Sequence, residues 1–455
     1  VSWRRRVTRR AGGWWRRVAL SAALVGGASV GAVSPLVAQR ELPAAAVAAA
    51  RAAATDTTTG NRLQVILLTA GQGDAVWEMF GHNMLWIRDT VTGEGLAWNW
   101  GKFSFNEPGF LQRFLLGDTR YWMEGDDVAA TLAYYESTNR EVVAQELALT
   151  PGERAALLAF VTTNAREEHK FYRYDYFLDN CSTRLRDALD LVTGGALRAA
   201  LDSVSDNVHT TYRGETLRLV QDDAWLVAGI DLALGAPANV PLSRWETAFV
   251  PMRLRDAVRG LRIDDGAGGT RTLVVQERMM VTAQRAPEVL TFPKARFPYG
   301  AVLVALVIAS CGLGLGLLRS RGVLTTQVPI GVLAVAVHLL IGLVATAVLA
   351  MWLFTKHSFW AWNAHLLLMT PLSLVLAVAI PIRLARGGVG KWIFGYHLAI
   401  GATAFAVAMV TLVRYWQNDN APGATLLLWA HASWMVHFAL GYALAPRRIR
   451  ERSPS

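Results

Sequence analysis

Three rhythms of hydrophobic and polar positions divide the chain. Residues 1–17 carry seven arginines and no acid, and the apolar Gly/Ala-rich run 18–33 follows, with Leu36-Val-Ala38 just ahead of Gln39. A basic start, an apolar middle and a small-residue site predict a secretory signal peptide over 1–38, cleaved or retained. Residues 39–60, rich in Ala and Thr, read as a tether or a weak helix. From 61 to 298 short apolar runs alternate with turn-forming residues, as in a folded domain. From about 299 the apolar runs lengthen to Tyr299–Leu318, Val328–Phe354, Ala364–Ile382, Trp392–Val413 and Ala424–Leu444, each about long enough to span a bilayer. Five membrane spans over 299–445 and a basic tail at 446–455 are the expectation.

Within 61–298 the pattern predicts individual elements. Leu63–Thr69 is a buried strand. Gly71-Gln-Gly-Asp74 turns the chain. Phe80-Gly-His-Asn-Met-Leu-Trp-Ile-Arg88 and Leu96-Ala-Trp-Asn-Trp100 form antiparallel partners across the turn-rich Asp89–Gly95. After Pro108-Gly109, the pairs Phe110/Phe114 and Leu111/Leu115 share one helical face, read as core packing. Thr150-Pro-Gly-Glu153 is a capping box with proline at the first helical position, opening a helix to about Glu168. Residues 196–262 are mainly helical, with Trp225, Trp245, Phe249 and Leu254 as core. Thr272–Thr282 is a closing strand.

The segment from Phe171 to Asp187 is set apart by its change of character. Five aromatic residues crowd its first seven positions, then Asp179-Asn180 offers capping side chains, and Leu185, Ala188, Leu189 and Val192 recur on one helical face. This puts Cys181 in the first turn of a helix, where free N–H groups and the positive end of the macrodipole favour a thiolate. Arg184 and Arg186 are expected to push the same way.

Composition then places this cysteine. The 455 residues are 53% hydrophobic and only 18% charged, too apolar for an ordinary soluble enzyme. The loops holding Arg319/Arg321 and Arg383/Arg386/Lys391, and the tail with Arg447/Arg448/Arg450/Arg452, alternate with sparsely basic loops around Lys356 and Arg414. The positive-inside rule puts the basic loops in the cytoplasm and residues 39–298 outside it. The formal charge of +10 is concentrated in the N-terminal run and the inner loops, so it does not point to nucleic acid. Of the two cysteines, Cys311 falls in the first span, leaving Cys181 alone in the exported domain. A free cysteine is as a rule a small buried hydrophobe. An unpaired thiol in an oxidising compartment calls for a further reason.

A nucleophilic thiol needs a base. His169 lies in a charged run and His209 in a polar stretch, which leaves His82, at the start of a hairpin strand beside Gly81. Asn99 and Ser104, on or after the partner strand, are candidates to orient it. Backbone N–H groups of Cys181 and Ser182, with Asn180, are candidate oxyanion donors. No Cys/His spacing suits zinc, and no cofactor is expected.

A histidine strand followed later by a cysteine helix resembles the circularly permuted branch of the papain-like/NlpC-P60 thiol fold. That branch includes lecithin:retinol acyltransferase-like and phospholipase/acyltransferase enzymes. Phe80-Gly-His82, Asn99-Trp-Gly-Lys-Phe-Ser-Phe105, Phe114-Leu-Leu-Gly117, Asp179-Asn-Cys-Ser-Thr183 and Gly229-Ile-Asp-Leu-Ala-Leu-Gly235 are similar to segments of the Lnb-type periplasmic-domain family. The resemblance covers roughly 62–290. It implies an α+β, NlpC/P60-like exported domain before about five transmembrane helices, in a bacterial inner membrane with the catalytic domain periplasmic. It further implies Cys181 as nucleophile and His82 as base, with an acyl chain passing from a phospholipid through a thioester to the N-terminal amine of a lipoprotein. Thr355-Lys-His-Ser-Phe-Trp-Ala-Trp-Asn-Ala-His365 resembles a family motif at the outer mouth of the membrane domain, with His365 where a second asparagine is expected. His357 and Asn363 are the candidates there for a membrane-side substrate site, against an aromatic belt with polar anchors. Two other readings stand beside the transferase: a membrane-tethered thiol amidase acting on cell-wall peptides, and a non-catalytic membrane assembly protein.

Overall fold

The computed structural model describes residues 41–202, 210–265, 268–290 and 327–385 except 368, with scattered positions between 307 and 402. The signal peptide, the span at 299–318, the last two spans and the tail lie outside this set wholly or nearly so.

The domain is built on one antiparallel sheet of seven strands: β1 (Leu63–Ala70), β2 (His82–Asp89), β3 (Gly95–Lys102), β4 (Arg120–Asp127), β5 (Val142–Leu147), β6 (Phe171–Arg173) and, past the two-stranded β7 (Arg262–Asp264) and β8 (Thr270–Thr272), β9 (Val274–Val281). Their order is β6-β4-β3-β2-β1-β5-β9. The three strands read from sequence are its centre, and register follows from their alternation. Leu67 faces Leu85, and Leu85 in turn faces Trp98. Those side chains pack with Leu157 and Phe160 of the Pro151–Asn164 helix and with Leu185 and Leu189 of the Cys181–Val192 helix. Ile66, Leu68 and Met84 point to the opposite face, against Tyr135 of the Val128–Ser137 helix. A sheet buried on both faces explains why β1 reads as a continuous apolar run.

Two expectations change here. Of the two readings of the 39–60 segment the helix holds and the tether does not: Ala44–Ala53 is helical, and Ala46 and Ala50 are buried in the main core, their methyl side chains allowing close approach to the sheet's helical layer. Trp225, expected in the core, is 86% exposed on the Ala224–Ala233 helix, whereas Trp245, Phe249 and Leu254 are buried.

One described helix, Gln327–Phe354, is long and apolar enough to cross a membrane, over Ala334–Phe354. Its 28 residues span about 42 Å at 1.5 Å each. The expected span Ala364–Ile382 is instead a 3₁₀ turn at Ala364–Leu367 followed by the 14-residue helix Leu372–Ala385. Pro371, one residue ahead of that helix, carries no N–H and delays its start. The part described, Leu372–Ala385, covers about 21 Å. The described residues thus hold one helix long and apolar enough to span a membrane, not a bundle of five.

The loop after the spanning helix is keyed into the exported domain. Phe359 is 1% exposed, packed among Phe177, Tyr212, Phe249 and Met252. The Gly235 amide donates to the Phe359 carbonyl at 2.7 Å. A Cβ on Gly235 would stand 1.8 Å from the Ala361 carbonyl oxygen, so only glycine permits the contact. We predict that Phe359→Ala, which vacates an aromatic site worth about 3–5 kcal/mol, releases the loop. Trypsin should then cut at Lys356 at least tenfold faster in detergent-solubilised protein, and an unchanged cleavage rate refutes the keying.

Candidate active site

The Cys181–Val192 helix starts where it does because of Asn180. Its Oδ1 accepts the amides of Ser182 and Thr183, each at 2.9 Å, and Thr183 Oγ1 accepts the Asn180 amide at 2.8 Å. The asparagine Nδ2 donates to the carbonyls of Tyr176 (3.0 Å) and Phe249 (2.9 Å). Just upstream, Asp175 Oδ1 accepts the amides of Phe177 and Leu178, closing the turn that delivers the chain. Ser182 Oγ donates to Ala248 O at 2.6 Å and accepts from Asn83 Nδ2 at 3.0 Å. The helix start is thereby pinned to β2 on one side and to the 248–249 segment on the other. Cys181, its first residue, is 7% exposed.

His82 is the first residue of β2, and its imidazole hydrogen-bonds the Cys181 thiol. Its Nε2 lies 2.7 Å from Asn99 Oδ1, which fixes the tautomer with a proton on Nε2 and leaves Nδ1 for the sulfur. Met84 faces Asn99 across the ladder, so His82, two residues earlier, is Asn99's diagonal neighbour. Asn99 Nδ2 donates to Asp126 Oδ2 at 2.6 Å, and Asp126 is paired with Lys102. The carboxamide cannot flip without losing both bonds. The register slips between Asn99 and Lys102, a bulge centred on Gly101 with φ of +88°. A Cβ there would lie 3.6 Å from Cys181 Cβ, so β3's backbone runs close beside the thiol.

Electrostatics favour the charged pair. Burial pushes the Cys181 thiol up, but the His82 charge and hydrogen bond, with the amides of Asn83 and Ser182, outweigh it and hold the thiol below its ordinary value. Burial likewise pushes His82 down, and Cys181 and Asn99 outweigh it in the other direction, so its net shift is upward. Each group's shift is the other's charge seen across a short hydrogen bond.

The remaining sequence candidates fare unequally. Asn99 is at the histidine; Ser104 is not, its Oγ accepting the Asn106 amide within its own turn. Asn180, a candidate oxyanion donor, has its side chain fully engaged as a cap, and the Ser182 amide is engaged by it. The Cys181 amide meets no acceptor among the described residues. Arg184 and Arg186 do not serve the thiol as expected: Arg184 is paired with Asp179 and stacks 4.2 Å over Tyr172, and Arg186 is held by Asp187 and the Trp245 carbonyl. Buried guanidiniums so far desolvated take the nearest carboxylate. His357 and Asn363 are engaged in the keyed loop. His357 Nε2 lies 3.1 Å from the Phe114 carbonyl, and Asn363 Nδ2 donates to Leu232 O at 2.8 Å and Ala233 O at 3.1 Å, closing the end of the Ala224–Ala233 helix. No group of His, Cys, Asp and Glu among the described residues has metal-binding geometry.

Tyr172 escaped the sequence reading. Its hydroxyl is buried without an acceptor among the described residues, beside Gly101 and within electrostatic reach of Cys181. Burial raises this phenol well above its ordinary value, so it keeps its proton as a donor. Five aromatics in seven positions offered no signal to single it out.

Comparison with known proteins fits this geometry. Residues 50–218 match the family model described as the Lnb N-terminal periplasmic domain. No curated protein and no solved structure matches the chain. The match begins in the Ala44–Ala53 helix, includes Cys181, His82 and Asn99, and covers Phe177 and Tyr212 of the site that receives Phe359 but not Phe249 and Met252. The match to a periplasmic-domain model and a helix of spanning length fit a membrane-associated protein with an extracytoplasmic domain.

The paired shifts give a pH prediction. Because Cys181 titrates below an ordinary thiol, its alkylation by iodoacetamide should reach half its maximum rate at a lower pH than that of an unperturbed cysteine. In His82→Ala, burial is opposed only by the Asn83 and Ser182 amides and the midpoint should move up from the wild-type value. Asn99→Ala should move it part of the way. A His82→Ala profile identical to wild type refutes the pair.

Proposed function

We propose that this protein is a cysteine-dependent acyltransferase that takes an acyl chain from a phospholipid and passes it to the N-terminal amine of a lipoprotein. The carrying observation is the chain of thiol, imidazole and carboxamide formed by Cys181, His82 and Asn99 in an Lnb-type domain held at the end of a membrane helix. The order of histidine strand before cysteine helix fits a permuted papain-like domain, taken to run over 61–298.

The thiolate of Cys181 attacks the ester carbonyl carbon, and the developing oxyanion takes hydrogen bonds from the Cys181 amide and the Tyr172 hydroxyl. Collapse breaks the carbon–oxygen bond, and the His82 imidazolium gives its proton to the departing alkoxide. A thioester and a lysophospholipid result. The incoming amine then attacks the thioester, neutral His82 accepts its proton, and the thiolate leaves. Asn99 holds the imidazole ring in place through both halves. An ester donor and a lipid-anchored amine both sit at the membrane surface, where the keyed loop holds this domain.

Purified protein mixed with phospholipid should gain one acyl mass that hydroxylamine removes and that Cys181→Ala never gains. Absence of the adduct in wild type refutes the transferase; release of peptides from cell-wall material without it favours the thiol amidase. Tyr172→Phe should slow adduct formation by about 10²–10³-fold, the usual cost of one oxyanion donor, with the alkylation profile of Cys181 unmoved. An acylation rate equal to wild type removes Tyr172 from the oxyanion site.

A further inference from the structure

The short helix Phe110–Leu116 was expected to pack its apolar face into the core, and it does not. Only Phe110 is buried; Leu111 is 68% exposed, with Phe114, Leu115 and Leu116 also exposed. Phe105 and Trp77 extend this patch, 60% and 57% exposed, with ring centroids 5.4 Å apart. Arg113 is turned aside onto Glu107 at 2.7 Å, so no unpaired charge interrupts it. A contiguous exposed surface of this kind marks an interaction site.

Its position identifies the occupant. The Lys356 amide donates to Leu116 O at 2.8 Å, His357 reaches the Phe114 carbonyl, and Lys356 Nζ lies 2.7 Å from Asp118. The helix is thus stitched to the residues that immediately follow the spanning helix, whose last two residues, Leu353 and Phe354, are themselves 56% and 77% exposed. The apolar patch thus adjoins the exposed apolar end of the Gln327–Phe354 helix. It also continues inward. Phe103 stacks on Phe110 at 5.6 Å and on Tyr121 at 5.0 Å, Tyr121 stacks on Tyr174 at 4.3 Å, and Tyr174 lines Gly101 opposite the Cys181 side chain.

We propose that Trp77, Phe105 and the Phe110–Leu116 helix form a ledge that dips into the outer leaflet, and that an acyl chain of a bilayer phospholipid follows Phe103, Tyr121 and Tyr174 from it to Cys181. The acyl-chain path rests on the transferase reading; the immersion of the ledge does not. Two measurements on the full chain in nanodiscs separate them. First, in a Cys181→Ser, Cys311→Ser background, bimane on Leu115→Cys is strongly quenched by phosphatidylcholine with brominated acyl chains. No quenching overturns the ledge, whether a second copy covers it or water does. Second, in Leu111→Asp/Leu115→Asp, thioester formation at Cys181 from bilayer phospholipid falls at least tenfold relative to that from p-nitrophenyl butyrate, with iodoacetamide alkylation at the wild-type rate. An unchanged ratio overturns the path. Quenching in a protein that takes an acyl group from neither donor keeps the ledge and overturns the path together with the transferase reading.

Discussion

Four hydrogen bonds from one buried side chain fix where the thiol stands. Asn180 holds two amides of the helix it caps and two carbonyls outside it, Tyr176 in the preceding turn and the distant Phe249 ahead of the Pro251–Val258 helix. The cap sets the helix start, the helix start sets the height of Cys181, and that height brings the sulfur to His82 at the end of β2. An aspartate would accept the same two amides and have no donor for the two carbonyls. Leaving buried carbonyls unpaired costs about 1–3 kcal/mol each, and the carboxylate would add a negative charge beside the thiolate. The cap therefore excludes Asn180 from the oxyanion site while making that site possible.

Burial opposes both charges of the pair, since it raises a thiol and lowers an imidazole. Each group's charge opposes the effect of burial on the other, and moving a proton between them brings no net charge into the protein. The arrangement depends on ring orientation, which is why Asn99 has a second partner in Asp126 and that carboxylate a third in Lys102. Removing Lys102 or Asp126 touches neither the sulfur nor the ring, but frees the carboxamide to rotate.

What the sequence disclosed and withheld follows from the range of each interaction. The strands around Leu67, Leu85 and Trp98, the Thr150 capping box and the Asn180 cap rest on residues within four positions of one another, so period and spacing reveal them. The partnership of Cys181 with His82 joins positions 99 residues apart, and no period reveals it; scarcity of histidines and the family resemblance suggested it. Arg184 misled because sequence proximity to the thiol says nothing of Asp179, which claims it across one turn of chain. Trp225 and the Phe110–Leu116 helix misled for a different reason. Hydrophobicity reports that a side chain avoids water and does not by itself say that the domain's own core is where it does so.

That ambiguity also accounts for the loop at 355–365. Read alone, a histidine, an asparagine and tryptophans beside a membrane span suggest an aromatic belt or a ligand site. In the fold, His357 and Asn363 satisfy backbone carbonyls of the exported domain, and Phe359 fills its second core. The polar residues are where they are because two buried backbone ends need partners when two units of opposite solvent preference meet. A thiol enzyme free to tumble above the bilayer would meet a lipid ester only when the lipid left the leaflet, an event opposed by about 0.8 kcal/mol for every methylene exposed. Holding the domain rigidly at the surface replaces that extraction with a short movement along aromatic side chains, so the loop's structural role is itself a condition of the proposed chemistry.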